Sequence, residues 1–191
     1  NQADSGEAQA AVTRLIDGYR ELGHHLADLD PLGLTTRKDS DEELEPSAFG
    51  LSEADLDRTF YTTLVDPPRT TLRNLIAILR QTYCGTIGVE YMHIRNNKVR
   101  GWLEQQMEPR RNQPNLSVEE KRRTLDRLTA AESFESFLHN TYTGQKRFSN
   151  EGGESLIPLL DALVEGSSTY KIRDIVIGMP HRGRLCVLAH T

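Results

Sequence analysis

Residues 175–190 read Ile175-Val-Ile-Gly-Met-Pro-His-Arg-Gly-Arg-Leu-Cys-Val-Leu-Ala-His190. A short apolar run breaks at Gly178 and Pro180, and a second apolar run resumes at Leu185. That order predicts a buried strand over 172–177, a tight turn, and the start of a helix. Strand-to-helix turns are where α/β proteins place ligands, because free backbone N–H groups there attract anions. The turn carries His181, Arg182 and Arg184. Guanidinium groups suit bidentate contacts to phosphate or carboxylate, and an imidazole titrates near neutral pH. The alternative is a surface turn whose arginines are merely solvated.

Working backward, Leu156, Ile157, Leu159, Leu160 and Leu163 form a dense apolar helix face. Pro158 fits if that helix starts near Ser155, since first-turn amides have no intrahelical partner to lose. Gly166 is expected to end it. Helix, strand and helix start make half of a doubly wound parallel sheet. One or two strands cannot stand alone as a sheet, so the remaining strands are expected beyond Thr191.

From residue 8 to 140 the pattern is helical. Val12, Leu15, Ile16, Tyr19, Leu22 and Leu26 recur at three- and four-residue spacing after a frayed start over 1–7. That helix ends near Asp30-Pro31-Leu-Gly33. Residues 35–47 are acidic with little apolar anchor and predict a solvated loop. A short helix opens at Leu51–Asp55. Thr70 or Thr71 caps a helix striped by Leu72, Leu75, Ile76, Leu79 and Tyr83, and Gly85 and Gly88 close it. Val89–Ile94 is a short strand or an extended connection. Asn96 or Asn97 caps a helix through Val99, Trp102, Leu103 and Met107. Ser117-Val-Glu-Glu120 is a capping box opening a helix through Leu125, Leu128, Phe134, Phe137 and Leu138. The expected organisation is a mainly α region over 1–144, followed by the beginning of an α/β domain over 145–191.

The 191 residues carry a formal net charge of -5, which argues against a general nucleic-acid binder. No apolar run approaches the length needed to span a membrane. Cys84 and Cys186 lie far apart in apolar surroundings without a CxxC pattern, which predicts buried thiols rather than a disulfide or zinc site. His24 and His25 point about 100° apart on a helix, so His25 with Asp28 is a better hydrogen-bonded pair than a metal site. The carboxylates at 39–45 lack EF-hand spacing. Arg110-Arg111 and Lys121-Arg122-Arg123 read as solvated faces. There is no GxGxxG, GxxxxGK[ST] or GxSxG motif. No metal ligand is assigned.

Four separated stretches carry a family resemblance: Tyr19-Arg-Glu-Leu-Gly-His-His-Leu-Ala-Asp-Leu-Asp-Pro-Leu-Gly33, Tyr83-Cys-Gly-Thr-Ile-Gly-Val-Glu-Tyr-Met92, Lys146-Arg-Phe-Ser-Asn-Glu-Gly-Gly-Glu-Ser-Leu-Ile-Pro158 and Gly178-Met-Pro-His-Arg-Gly-Arg-Leu185. In this order they resemble the N-terminal part of the thiamine-diphosphate-dependent dehydrogenase component of 2-oxoglutarate dehydrogenase complexes. The resemblance implies decarboxylation of 2-oxoglutarate on thiamine diphosphate in the tricarboxylic acid cycle. Succinyl transfer to a lipoyl-bearing succinyltransferase follows. It further implies His181 as the catalytic and substrate-binding histidine, Arg182 as a cofactor contact, and a homodimeric full-length enzyme. The magnesium that accompanies the cofactor takes ligands outside this chain, so the isolated stretch is expected to be inactive. The related 2-oxoadipate dehydrogenase and a helical assembly module are the alternative readings. The implied compartment is the cytoplasm for a bacterial source and the mitochondrial matrix for a eukaryotic one.

Overall fold

A computed structural model describes residues 2–36 and 38–191, with the side chains of 2–4 left aside. Asn1 and Arg37, which belong to the predicted frayed start and acidic loop, lie outside the described residues. The chain divides into two compact units, residues 1–115 and 116–191.

The first unit is built on α1 (Gln2–Leu22), which is helical from residue 2 instead of fraying to residue 7. Its stripe of Val12, Leu15, Ile16 and Tyr19 is buried as the spacing requires. A 3-10 turn over Gly23–Leu26 continues it. A Cβ on Gly23 would lie 2.6 Å from Cβ of Tyr83, so glycine is what lets these two helix ends meet. Residues 42–49 are not the bare loop that composition predicts. Two 3-10 turns, Glu42–Leu44 and Pro46–Phe49, bury Leu44 and set Phe49 against Gly18. Two apolar anchors suffice to fold an otherwise acidic stretch back onto α1.

Ser52 and Asp55 form a reciprocal capping box on a one-turn 3-10 helix, Glu53–Asp55. The chain then enters an antiparallel hairpin that helical periodicity does not reveal: β1 (Thr59–Tyr61) pairs with β2 (Arg69–Thr71) with Phe60 opposite Thr70. Helix α2 (Leu72–Tyr83) begins where predicted, with the Thr71 hydroxyl accepting from Asn74 N at 3.3 Å. Leu72, Leu75 and Leu79 are fully buried, each contributing roughly 1.5–3 kcal/mol of apolar burial. Val89–Ile94 forms no strand and serves as the connection to α3 (Asn97–Met107), capped by Asn96.

The second unit has three helices: α4 (Val118–Thr141), α5 (Leu156–Thr169) and α6 (Arg184–His190). The Ser117 capping box is present, with Glu120 N donating to Ser117 Oγ at 3.2 Å and Ser117 N donating to Glu120 Oε2 at 2.7 Å. Arg123 and Arg127 hold Asp161 at 2.6 and 3.0 Å, tying α4 to α5, while Arg123 stays exposed to solvent as its run suggests. Helix α5 runs through Gly166 to Thr169; one glycine weakens a helix without stopping it. Ala131, Ile157, Cys186 and Val187 form a small core.

The buried strand predicted over 172–177 is not formed. This segment has no regular structure, and Val176 is 95% exposed. A strand needs a neighbour to take its backbone hydrogen bonds, and the described residues supply none. The chain is thus mainly helical, as expected, without the opening of a parallel sheet. No described helix is long and apolar enough to cross a membrane.

Candidate functional site

The turn after residue 177 is fixed by Gly183. Its φ of +71° lies in the left-handed region, and its amide donates to the carbonyl of Phe148 at 2.9 Å. A Cβ here would sit 2.7 Å from Oδ1 of Asn150. Asn150 is itself buried and held from two sides. Its backbone N donates to Glu135 Oε1 at 2.9 Å, and its side-chain amide donates to the carbonyl of Gly153 at 3.1 Å. Glu135 is also buried and forms an ion pair with Arg147, whose other nitrogen lies 3.8 Å from Glu151. The 146–153 loop is therefore pinned inward on α4, and the 178–184 turn is pinned onto that loop.

This juxtaposition places His181 beside Phe148. Their rings stack at a 5.5 Å centroid separation and an angle of 29°. Stacking occupies the ring face and leaves the edge, where both nitrogens lie, without hydrogen-bond partners among the described residues. Lys146 Nζ lies 5.5 Å from the centre of the same Phe148 ring, within cation–π range. His181, Lys146, Arg147, Phe148 and Arg184 line a cleft of about 510 Å³ whose remaining walls include Leu138, Tyr142 and Leu185. No carboxylate lines it.

Arg182 points elsewhere. Its Nη2 donates to the carbonyl of Glu151 at 2.7 Å, and it does not line the cleft. A guanidinium has five N–H donors, so most of this one remains available to an anionic group. It lies outside the cleft that His181 lines. Arg184 opens α6 and makes no ion pair among the described residues. Cys186 is buried two residues on, and burial pushes its thiol up.

Composition alone does not single out Lys146, Phe148, Asn150 or Glu135. The signal for them is that two conspicuous glycine-containing stretches, 146–158 and 178–185, come together. In the first unit the other pair of stretches does the same. Asp28 N donates to the carbonyl of Gly85 at 2.8 Å, and Gly88 lies against Leu29. Tyr83 donates to Glu108 Oε1 at 2.7 Å, and Arg20 Nε donates to the same oxygen at 2.9 Å. Tyr91 joins at 3.2 Å from Tyr83, a buried polar network linking α1, α2 and the end of α3. The ring of His24 lies edge-on to His25 at 4.3 Å and within 3.8 Å of Glu90. No group of three or more His, Cys, Asp or Glu among the described residues could hold a metal ion.

No protein-family model matches the chain. It is 46% identical over 99% of its length to the 2-oxoglutarate dehydrogenase E1 component of Cupriavidus necator, covering 20% of that protein. It is 44% identical over 95% of its length to the Azotobacter vinelandii protein of the same name, covering 19% of it. A multifunctional 2-oxoglutarate metabolism enzyme of Mycolicibacterium vanbaalenii is 43% identical over 96% of the chain, which covers 15% of that relative. The chain thus spans about a fifth of the length of the curated relatives it matches, in their N-terminal part.

Proposed function

From a chain homologous along nearly all its length to the N-terminal part of 2-oxoglutarate dehydrogenase E1 components, we propose that the protein decarboxylates 2-oxoglutarate and passes the succinyl group to a lipoyl-bearing succinyltransferase. The observation that carries this reading is the side chain of His181, whose ring nitrogens have no hydrogen-bond partner among the described residues and which lines a cleft with Lys146, Arg147 and Arg184.

The roles divide along the turn. His181 faces the cleft and contacts the 2-oxo acid, donating a hydrogen bond or a proton from a ring nitrogen as charge develops beside it. Arg182 lies outside that cleft and would contact thiamine diphosphate. The cofactor, when bound, supplies the electron sink for decarboxylation. The protein's part is to orient both partners and to compensate their charge. Magnesium belongs with the cofactor, and its ligands fall outside these residues. The names of the relatives favour 2-oxoglutarate over 2-oxoadipate as substrate. A homodimer, and an α/β domain that starts near residue 145 and covers the exposed 172–177 segment, complete the reading.

The test is His181→Ala in the full-length protein with thiamine diphosphate and magnesium supplied. The side chain is exposed and supports no core, so the thermal midpoint stays put while kcat falls by about 10²–10⁴, the range for a general acid–base group. An unchanged kcat removes His181 from the site. Arg182→Ala is expected to weaken thiamine diphosphate binding in calorimetric titration, and wild-type affinity would contradict that role.

A further inference from the structure

We infer that Glu135, a buried carboxylate of α4 outside the cleft, is a positioning residue for His181, acting through the 146–153 loop on which the 178–184 turn rests. The inference rests on the functional reading above and adds to it what holds the imidazole in place.

Three consecutive residues of the turn lean on the loop. The His181 ring stacks on Phe148 with 5.5 Å between centroids. Arg182 Nη2 donates to the carbonyl of Glu151 at 2.7 Å, and Gly183 N donates to the carbonyl of Phe148 at 2.9 Å. These contacts are only as firm as the loop beneath them. Residues 146–150 have no helix or sheet ladder of their own to stiffen them. Glu135 supplies the missing support from α4, a helix of 24 residues. Its side chain is buried, and both of its oxygens are spent on the loop. Oε1 accepts from Asn150 N at 2.9 Å, and Oε2 is paired with Arg147 Nη1. The two anchored residues bracket Phe148, so the residue that carries both the stack and the Gly183 bond is held from either side.

Little slack lies between the anchor and the turn. A Cβ on Gly183 would sit 2.7 Å from Asn150 Oδ1, so the turn backbone rests directly on the Asn150 side chain. That side chain is fixed in turn by its bond to the carbonyl of Gly153 at 3.1 Å. A shift at Asn150 therefore reaches the turn instead of being absorbed on the way. A reacting group misplaced by about 1 Å can cost about 10²-fold in rate. The competing view is that Glu135 and Arg147 are an ordinary buried ion pair with no hold on His181. Such pairs add little net stability over apolar residues of similar volume, so stability alone is a weak account of this one.

The experiment uses the full-length protein with thiamine diphosphate and magnesium. Two double substitutions remove the buried charges together: Glu135→Gln with Arg147→Met, and Glu135→Leu with Arg147→Met. Both lack the ion pair, and they differ in whether Asn150 N keeps an acceptor. With 2-oxoglutarate, kcat should be about ten- to hundredfold lower in the leucine variant than in the glutamine variant, with a smaller change in KM. In a His181→Ala background the difference should vanish, because residues that act as a unit are not additive. Crystal structures should show the 178–184 turn displaced from the loop in the leucine variant alone. If the leucine variant does not fold, Glu135→Asp, which keeps the charge and shortens its reach, carries the same cycle against wild type. Equal kcat in the two variants, an equal difference in both backgrounds, or an undisplaced turn overturns the role of Glu135. A His181→Ala protein with wild-type kcat overturns the functional reading instead, and the position of the turn then decides the role of Glu135.

Discussion

Gly183 shows how one residue positions the turn that carries His181. Its left-handed φ brings the turn under Asn150, and its amide fixes the distance to Phe148. Alanine there meets both a backbone penalty and a collision with a buried amide that is held at both ends. Gly183→Ala should cost about 2–3 kcal/mol in urea unfolding of the second unit. It should also lower kcat by displacing His181, whereas an unchanged unfolding midpoint would mean the turn has slack. His181 and Arg182 stand out in the sequence because titratable and cationic residues lie between a proline and a glycine. Their divergence does not: nothing in adjacent letters says that one side chain faces a cleft and the other a backbone carbonyl. Asn150 and Glu135 were hidden for a related reason. Their importance comes from burial, and polar residues give no periodic signal of being buried.

Helix starts fixed by a local side-chain cap follow from the sequence, whereas elements fixed by distant partners do not. Thr71, Asn96 and Ser117 each cap a helix through a side-chain oxygen, an interaction contained within four residues. The hairpin of β1 and β2 depends on pairing across eight residues, and the 172–177 segment would need strands that no described residue provides. The cap of α4 also makes a pH prediction. The Ser117 amide and hydroxyl hold the Glu120 carboxyl below its ordinary value. Such a depressed carboxylate stabilises the fold above its unfolded-state pKa of roughly 4.3, and that contribution disappears as pH falls through the lower folded value. Pro at position 117 removes the amide donor and the hydroxyl together. In an NMR titration, Ser117→Pro should bring Glu120 back up toward the ordinary glutamate value, and α4 should lose its N-terminal cap. A Glu120 titration that does not move would assign its shift to some other donor.

At the scale of the molecule the two units are built to different standards. The first has a continuous apolar core from α1 through α2 and a buried polar network at one end of it. The second has a small core and keeps Leu159, Leu163 and Leu185 more than half exposed. The first unit's network therefore governs how that unit fails at high pH. Burial, with the Glu108 carboxylate next to it, holds Tyr83 well above the normal tyrosine range, and burial pushes Tyr91 up to about 12. Unfolded tyrosines ionise near 10, so above that pH the unfolded chain releases protons that the folded chain retains. Each such tyrosine then removes stability at about 1.4 kcal/mol per pH unit, from pH 10 until its folded pKa is reached. Below pH 10 their contribution is fully present. Tyr83→Phe deletes one titrating group and one hydrogen bond to Glu108. It should cost about 1–2 kcal/mol at pH 7 in urea unfolding, because the Arg20–Glu108 pair remains. The penalty should shrink as pH rises from 10 to 11 and reverse if the fold persists further, because the mutant escapes the proton-release cost. A penalty that stays constant from pH 7 to 11 would show that Tyr83 ionises as freely in the folded unit as in the unfolded chain, and the buried network would then have no hold on it.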